Sequence, residues 1–242
     1  MKAYTKKELN KILEDHRLWL QTDGEKGKRA NLSYANLSYA DLRSADLRYA
    51  DLYAVDFSSA DLRWADLSYT DLNRANLYYA DLRSVNLSYA DLRYANLYYT
   101  DLRSANLKYA DLRSTDLHLA DLRSAVLHYA NLGHADLRLV DLRYADLDHA
   151  NLDLAALPLS YSGLDVHIDD RQAKQILYHL VRNVQYSRNT SAEMKKLCEL
   201  KEIVEKANEF HCVDKCGKII SNKSKSEIPL FYTDFEELID CV

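Results

Sequence analysis

A five-residue unit repeats without interruption from residue 30 to residue 159, and it constrains the fold more than any other feature of the chain. Its central position, i, is Leu in every copy from Leu32 to Leu157 except Phe57. Position i−2 is always Ala, Val or Thr, and position i−1 is Asp or Asn in most copies. A period of five matches neither a helix nor a strand, so the backbone must turn once in every repeat. Such a regular succession of turns predicts a solenoid.

The pattern A(D/N)LXX occurs in 26 consecutive copies over 130 of the 242 residues, and it resembles the pentapeptide-repeat proteins. The resemblance implies a right-handed, four-sided parallel β-helix with one repeat on each side and four repeats in each coil. In such a narrow tube the Leu at i and the small residue at i−2 would point inward. The side chains at i−1, i+1 and i+2 would face water.

Outward residues that lie 20 positions apart form coherent series, which supports four repeats per coil independently of the resemblance. One face carries Asp at i−1 in every coil, namely Asp41, Asp61, Asp81, Asp101, Asp121 and Asp141. The same face carries Arg at i+1, namely Arg43, Arg63, Arg83, Arg103, Arg123 and Arg143. Because coils in contact are about 4.8 Å apart, we expect the two series to neutralise each other.

Two further series are predicted from the same spacing. The Leu residues at the centre of the Asp and Arg face should form one inward stack of Leu42, Leu62, Leu82, Leu102, Leu122 and Leu142. The next face should carry a stacked surface ladder at i+2 that consists of Tyr49, Tyr69, Tyr89, Tyr109 and Tyr129 and ends in His149.

Residues 1–29 are predicted to form an N-terminal capping helix and turn. Thr5 and Glu8 have the spacing of a capping box, and apolar residues then recur at helical spacing at Leu9, Ile12, Leu13 and Leu20. A helix over the end of a solenoid would cover its open core and its unpaired backbone edge. We expect His16 and Trp19 to contact the first coil and not to bind a ligand.

Residues 160–242 are predicted to form a small α-helical C-terminal domain that follows the β-helix of residues 30–159. Asp169 and Asp170 suit a helix N-terminus, and an amphipathic stripe follows at Ala173, Ile176, Leu177, Leu180, Val181 and Val184. The fold class is therefore mainly β, with helices at both ends of the solenoid.

Leu replaces the Tyr, Ser or Arg of earlier coils at several outward positions near the end of the repeats. These positions are Leu119, Leu139, Leu154 and Leu159. A row of exposed Leu is unusual unless another surface covers it. Two alternatives remain open: the C-terminal helices dock on this corner, or the corner forms a dimer interface.

The remaining features argue against a membrane protein, a metalloprotein and an enzyme. The chain has neither the roughly 20 consecutive apolar residues of a transmembrane helix nor a signal-peptide core, so we expect a soluble, cytoplasmic protein. The small cluster of Cys212 and Cys216 with His211 and Cys241 fits no well-known zinc signature. We therefore predict no metal or other cofactor, and reduced thiols.

No catalytic site is predicted. A tube packed with Leu offers no cavity in which titratable groups could converge, and the chain contains no phosphate loop or nucleophile motif. Four His residues fall on the outer surface of the late coils, where we expect them to be solvated: His118, His128, His134 and His149.

These features predict a non-enzymatic scaffold that binds an unidentified protein partner, with a possible homodimer through its C-terminal end. The resemblance implies an alternative, because some pentapeptide-repeat proteins, including quinolone-resistance proteins, mimic a B-DNA rod and bind gyrase or topoisomerase. Such mimicry requires a continuous acidic surface. The repeats carry 18 Asp against 11 Arg and one Lys, but the Arg series interrupts that surface. Direct nucleic-acid binding is disfavoured as well, because each Arg of that series follows an Asp by two residues.

Overall fold

The structure is a computed structural model, and it describes residues 1–153 and 155–156. Its named elements are β1 (Lys2–Ala3), α1 (Lys6–Gln21) and β2 (Ala35–Asn36). The predictions for the C-terminal domain, for Leu154 and Leu159 and for the Cys212 and Cys216 cluster lie outside the described residues. No helix in the described part of the chain combines the length and the apolar character that crossing a bilayer requires.

Helix α1 begins with a complete capping box. The Thr5 hydroxyl accepts a hydrogen bond from the Glu8 N–H (3.3 Å), and the Glu8 carboxylate accepts one from the Thr5 N–H (2.8 Å). One side of the helix packs on the repeat core through Leu9, Ile12 and Leu13. Helix α1 thus covers the first repeats with apolar side chains, and its His16 is fully buried as well.

The chain enters the first coil through a close contact that only glycine permits. At Gly27 φ is +72°, and an added Cβ would lie 2.1 Å from the Asp15 carbonyl oxygen. Shortly afterwards the Ala30 N–H donates a 3.1 Å hydrogen bond to Nδ1 of His16. At the same end, β1 pairs in parallel with β2, so that Lys2 lies beside Ala35.

Successive coils are joined every 20 residues. Parallel bridges connect the i−1 residues of stacked repeats, from Asn31 and Asp51 to Asp136 and Ala156. Between two such coils, the Leu42 N–H donates to the Asp61 carbonyl (2.8 Å) and the Asp61 N–H donates to the Ala40 carbonyl (2.9 Å). This register gives four repeats per coil, and it stacks outward side chains of equal position into columns.

Each corner of the coil is a tight turn in which the residue at i+2 has a positive φ. In the repeat centred on Leu42, the Ala45 N–H donates to the Leu42 carbonyl (3.1 Å), and Ser44 has φ +56°. The equivalent i+2 residues from Tyr34 to His149 all have φ between +51° and +61°, although none of them is Gly. Left-handed backbone costs a non-glycine residue free energy, so each turn must be stabilised by other bonds.

A side-chain hydrogen bond at position i−1 provides part of that stabilisation. Oδ1 of Asp81, for example, accepts from the backbone N–H of Arg83 (3.3 Å), and Oδ1 of Asn96 accepts from that of Tyr98 (3.0 Å). Asp and Asn form such turns because their short side chains reach the backbone two residues ahead. This bond explains the preference for Asp or Asn at i−1.

The lumen is filled by the central Leu column and closed by the small residues at i−2. The predicted inward stack is buried throughout, with at most 3% exposure, at Leu42, Leu62, Leu82, Leu102, Leu122 and Leu142. Phe57 is also fully buried. The buried hydroxyls at i−2 donate to carbonyl oxygens: Thr70 to Leu67 (2.6 Å) and Thr100 to Leu77 (2.9 Å). Each of these two buried hydroxyls thus has a hydrogen-bond partner.

Candidate interaction surfaces

The Asp–Arg face, which consists of the Asp series from Asp41 to Asp141 and the Arg series from Arg43 to Arg143, is built from paired charges. In its middle, Nε of Arg83 lies 2.8 Å from Oδ1 of Asp81, and Nη2 lies 2.6 Å from Oδ2. Two parallel hydrogen bonds of this kind fix the guanidinium plane on the carboxylate. The same two-bond pairing recurs in all six rungs of the face.

Contacts between coils turn these pairs into a network. Nε of Arg63 lies 3.4 Å from Oδ2 of Asp81, and Nε of Arg83 lies 3.6 Å from Oδ2 of Asp101. At the first rung, hydrogen bonds from Arg43 lower the pKa of Asp41 to about 2. The face is therefore a charge-neutral strip whose cations are already occupied by carboxylates.

The Tyr ladder, which runs from Tyr49 to Tyr129, forms one continuous aromatic stack. Neighbouring ring centroids are 4.7–5.0 Å apart with interplanar angles of 1–14°. His149 extends the stack at 4.6 Å from Tyr129. Burial, followed by the neighbouring phenols of Tyr69 and Tyr109, raises the pKa of Tyr89, which favours the neutral phenol.

A second aromatic surface lies on the face of the repeats centred on Leu37, Phe57, Leu77, Leu97, Leu117 and Leu137, here called the Tyr-rich face. Tyr78 stacks on Tyr98 (5.8 Å), and Tyr79 stacks on Tyr99 (5.1 Å). The two columns meet edge to face, at 5.1 Å in one coil and 5.0 Å in the next. The i+2 column contains the Tyr residues that Leu119 and Leu139 replace in later coils, whereas the Tyr78 and Tyr98 column at i+1 was not predicted.

The outward Leu residues fall beside this aromatic block. Leu119 is partly buried and Leu139 is 54% exposed. Leu154 and Leu159 belong to the part of the chain that the structure does not describe, so the choice between helix docking and dimerisation stays a prediction.

Two histidines in the late coils lie beside carboxylates and keep part of their surface in solvent. Nε2 of His128 lies 3.4 Å from Oδ2 of Asp146 and 3.2 Å from Oδ2 of Asp148. Nδ1 of His149 lies 2.9 Å from Oδ1 of Asp148. Their side chains remain 32% and 50% exposed, as expected for surface histidines, but the contact between His128 and Asp148 was not predicted. It arises because coil stacking brings residue 148 next to residue 128. The 20-residue spacing contained this information.

On the other faces some carboxylates pair with Arg, as Asp91 does with Arg93, whereas others accept hydrogen bonds from neutral groups. The Ser33 hydroxyl donates to Asp51 (2.5 Å), and the Asn76 amide donates to Asp56 (3.0 Å). The Asn96 amide in turn donates to Asn76 (3.2 Å). Acidic surface is therefore concentrated away from the Asp–Arg face, as the composition had indicated.

The described residues offer no evident site for catalysis. Within residues 1–153 and 155–156, no group of His, Cys, Asp and Glu could hold a metal ion. An open hollow lies on α1 and is lined by Lys6, Lys7, Asn10, Lys11 and Glu14. It contains no nucleophile beside a base, so it lacks the arrangement that nucleophilic catalysis requires.

Comparison with known proteins agrees with the geometry. The family model for pentapeptide repeats matches residues 28–63, 56–88, 86–123 and 120–157, which together span more than half of the chain. No curated protein sequence matches the chain significantly.

Several solved structures are similar. The pentapeptide repeat protein Rfr23 from the cyanobacterium Cyanothece 51142 is 34% identical over 43% of this chain and 67% of its own, with a TM-score of 0.30. HetL, a pentapeptide repeat protein involved in heterocyst differentiation regulation from the cyanobacterium Nostoc sp. strain PCC 7120, is 32% identical over 58% and 77%, with a TM-score of 0.22. QnrB1, a plasmid-mediated fluoroquinolone resistance protein, is 18% identical over 63% and 92%, with a TM-score of 0.34. From the unbroken repeat, its 20-residue register and the family match, we conclude that this chain belongs to the pentapeptide-repeat family, whose fold is a right-handed β-helix.

Proposed function

We propose that this protein is a non-enzymatic scaffold that binds a protein partner through the outer faces of its β-helix. The observation that carries the proposal is the preorganisation of those faces. Arg side chains are held on carboxylates and Tyr rings are held against one another across successive coils. Side chains that are already ordered lose less conformational entropy on binding.

The packing of the tube supports the same proposal. Leu and Phe57 fill the lumen, so the charged residues and the Tyr rings of the described repeats lie on the outside. We further propose that α1 caps the N-terminal end of the solenoid, since its apolar side packs on the first repeats and an open end would invite end-to-end association.

Affinity capture with the full chain tests this function if the faces are altered one at a time. One variant replaces Arg83, Arg103 and Arg123 with Ser, and a second replaces Tyr89 and Tyr109 with Ser. Ser occupies outward positions of several native repeats, such as Ser84 and Ser104, so neither variant should disturb the core. A genuine partner should be lost with one altered face and kept with the other. Capture that is identical for all chains, or absent for all, would contradict the proposal.

A second candidate is mimicry of a nucleic acid toward an enzyme with a basic DNA channel. The carboxylates that accept bonds only from neutral groups favour it, as at Asp51 and Asp56. The neutral Asp–Arg face argues against it, because a basic channel would meet guanidinium groups at every coil. We therefore rank the protein scaffold first.

A further inference from the structure

The Tyr-rich face presents aromatic and aliphatic side chains to solvent at its centre. Tyr78 is 40% exposed, Tyr79 54% and Tyr99 43%, and Leu139 is 54% exposed in a later coil. Tyr is among the residues enriched at protein interfaces, and exposed apolar groups in a contiguous patch indicate a contact surface.

The spacing of this face restricts what can contact it. Its side chains repeat once per coil because the bridges join residues 20 apart, such as Asn76 and Asn96. A partner that makes the same contact with several coils must carry contact groups at the same spacing, about 4.8 Å. A helix rises about 5.4 Å per turn, and alternate residues of a strand are about 6.8 Å apart. A second β-helix matches this spacing, and another copy of this chain supplies one.

The charge pattern of the face selects one arrangement of two copies. A two-fold axis parallel to the β-helix axis would place the i−1 column of one protomer opposite the i+1 column of the other at equal height. Asp136 would then face Arg138 of the second copy, and Asp116 would face His118. Both acidic residues of the late coils would meet a cationic or titratable group.

The reversed arrangement is unfavourable. Consider instead a two-fold axis that is perpendicular to the β-helix axis and centred on the aromatic block. It would place the i−1 column of one copy opposite the i−1 column of the other, with the coils in reverse order. Asp56 would then face Asp116, and Arg138 would face the uncharged Ser38. Like charges placed directly opposite each other disfavour pairing.

We propose that two copies of the chain pair side by side through the Tyr-rich face, in parallel, about an axis along the β-helix. The six coils of this face span about 29 Å at about 4.8 Å per coil. A standard interface buries about 800 Å² per partner, which is more than one side of a narrow tube readily supplies. The pairing is therefore weak and depends on concentration. It leaves the Asp–Arg face and the Tyr ladder free for another protein, so its failure would not affect the scaffold proposal.

Sedimentation equilibrium of the full chain at up to about 100 μM, a range that includes weak pairs, tests the pairing. The wild type should show a reversible monomer and dimer. Replacing Tyr78 and Tyr98 with Ser, the residue of the same column in earlier coils (Ser38 and Ser58), should weaken dimerisation about tenfold or more. The matched control, Tyr89→Ser with Tyr109→Ser on the Tyr ladder, should leave it unchanged.

The orientation has its own test. Arg138→Glu and Arg113→Glu each break a pair with the Asp of the same rung, Asp136 or Asp111. Only Arg138 would face a carboxylate of the second copy, so only that variant should weaken the dimer. A monomeric wild type, a dimer unaffected by loss of Tyr78 and Tyr98, or equal losses in a variant and its control would overturn the proposal.

Discussion

Arg83 donates two hydrogen bonds to Asp81 within its own repeat and also lies 3.6 Å from Asp101 in the next coil. The guanidinium therefore links two coils that the backbone already joins at the i−1 positions. Because the pattern recurs along the face, ion pairing should contribute to stability as a network, whereas isolated surface pairs contribute little.

Replacing Arg83, Arg103 and Arg123 together with Ser should lower the melting temperature at low ionic strength by at most a few degrees. The difference from wild type should shrink at high salt, since these side chains are partly exposed and screened. Lys108→Ser is the control, because its rung carries Asn106 in place of Asp. Equal melting temperatures at low salt would show that the network does not contribute to stability.

Val126 is the one described i−1 residue between Asn31 and Asn151 that has no side-chain oxygen, so it cannot accept the backbone N–H of His128. Val126→Asn should supply that acceptor and could also donate to Asn106, as Asn106 donates to Asn86 (3.0 Å). We expect stabilisation by about 0.5–1.5 kcal/mol, the usual net value of a hydrogen bond. Urea unfolding of Val126→Asn beside Val126→Ala measures it, and a less stable Asn variant would contradict the turn model.

His16 should make stability depend on pH near neutrality. Burial lowers the pKa of His16 from its ordinary value of 6.5, and this effect outweighs the nearby Arg48 carbonyl, which raises it. The unfolded chain therefore binds more protons in this range, so stability should be full above about pH 6.5 and fall as the pH drops toward the lowered value. Protonation would also remove the acceptor of the Ala30 N–H.

The variant His16→Asn keeps a side-chain acceptor but cannot titrate. Thermal unfolding at about pH 7.5 and about pH 5.5 should show a smaller pH-dependent loss for this variant than for wild type. Identical losses in both proteins would assign the acid sensitivity to other groups.

The protein should fail to inhibit supercoiling by bacterial gyrase at micromolar concentration and should not protect the enzyme from quinolones. The Arg side chains of the Asp–Arg face are paired with Asp but are still positively charged. They would therefore place like charge against a basic DNA channel at regular intervals. Strong inhibition in a supercoiling assay would reverse the ranking of the two functions. It would then point to the acidic groups of the other faces, such as Asp51, Asp56, Asp66 and Asp71.

The columns could be predicted from the sequence because a constant repeat length leaves no freedom of register. Once four repeats form a coil, Asp81 must lie beside Asp101 and Tyr89 beside Tyr109, whatever the remaining residues do. The same reasoning accounts for the contact between His128 and Asp148, since the two residues lie 20 apart.

The backbone of the corners could not be predicted in this way. Residues such as Tyr89 and Leu139 seldom adopt positive φ, so nothing in their identity indicates left-handed turns. Their conformation follows from the bonds that surround them, including the side-chain acceptor at i−1. The Asp or Asn at i−1 was predicted only to face water, and its hydrogen bond within the turn was not predicted.

The most direct test of the account is whether residues 20 apart, and not residues 10 apart, are neighbours. Ser84 and Ser104 are stacked corner residues, so Ser84→Cys with Ser104→Cys should form a disulfide under mild oxidation, since a rise of about 4.8 Å lies within the usual Cα separation. Peptide mapping by mass spectrometry distinguishes this bond from any made by the native Cys residues. Ser104→Cys with Ser114→Cys, half a coil apart, should not pair. A disulfide in the second variant and none in the first would contradict the four-repeat coil.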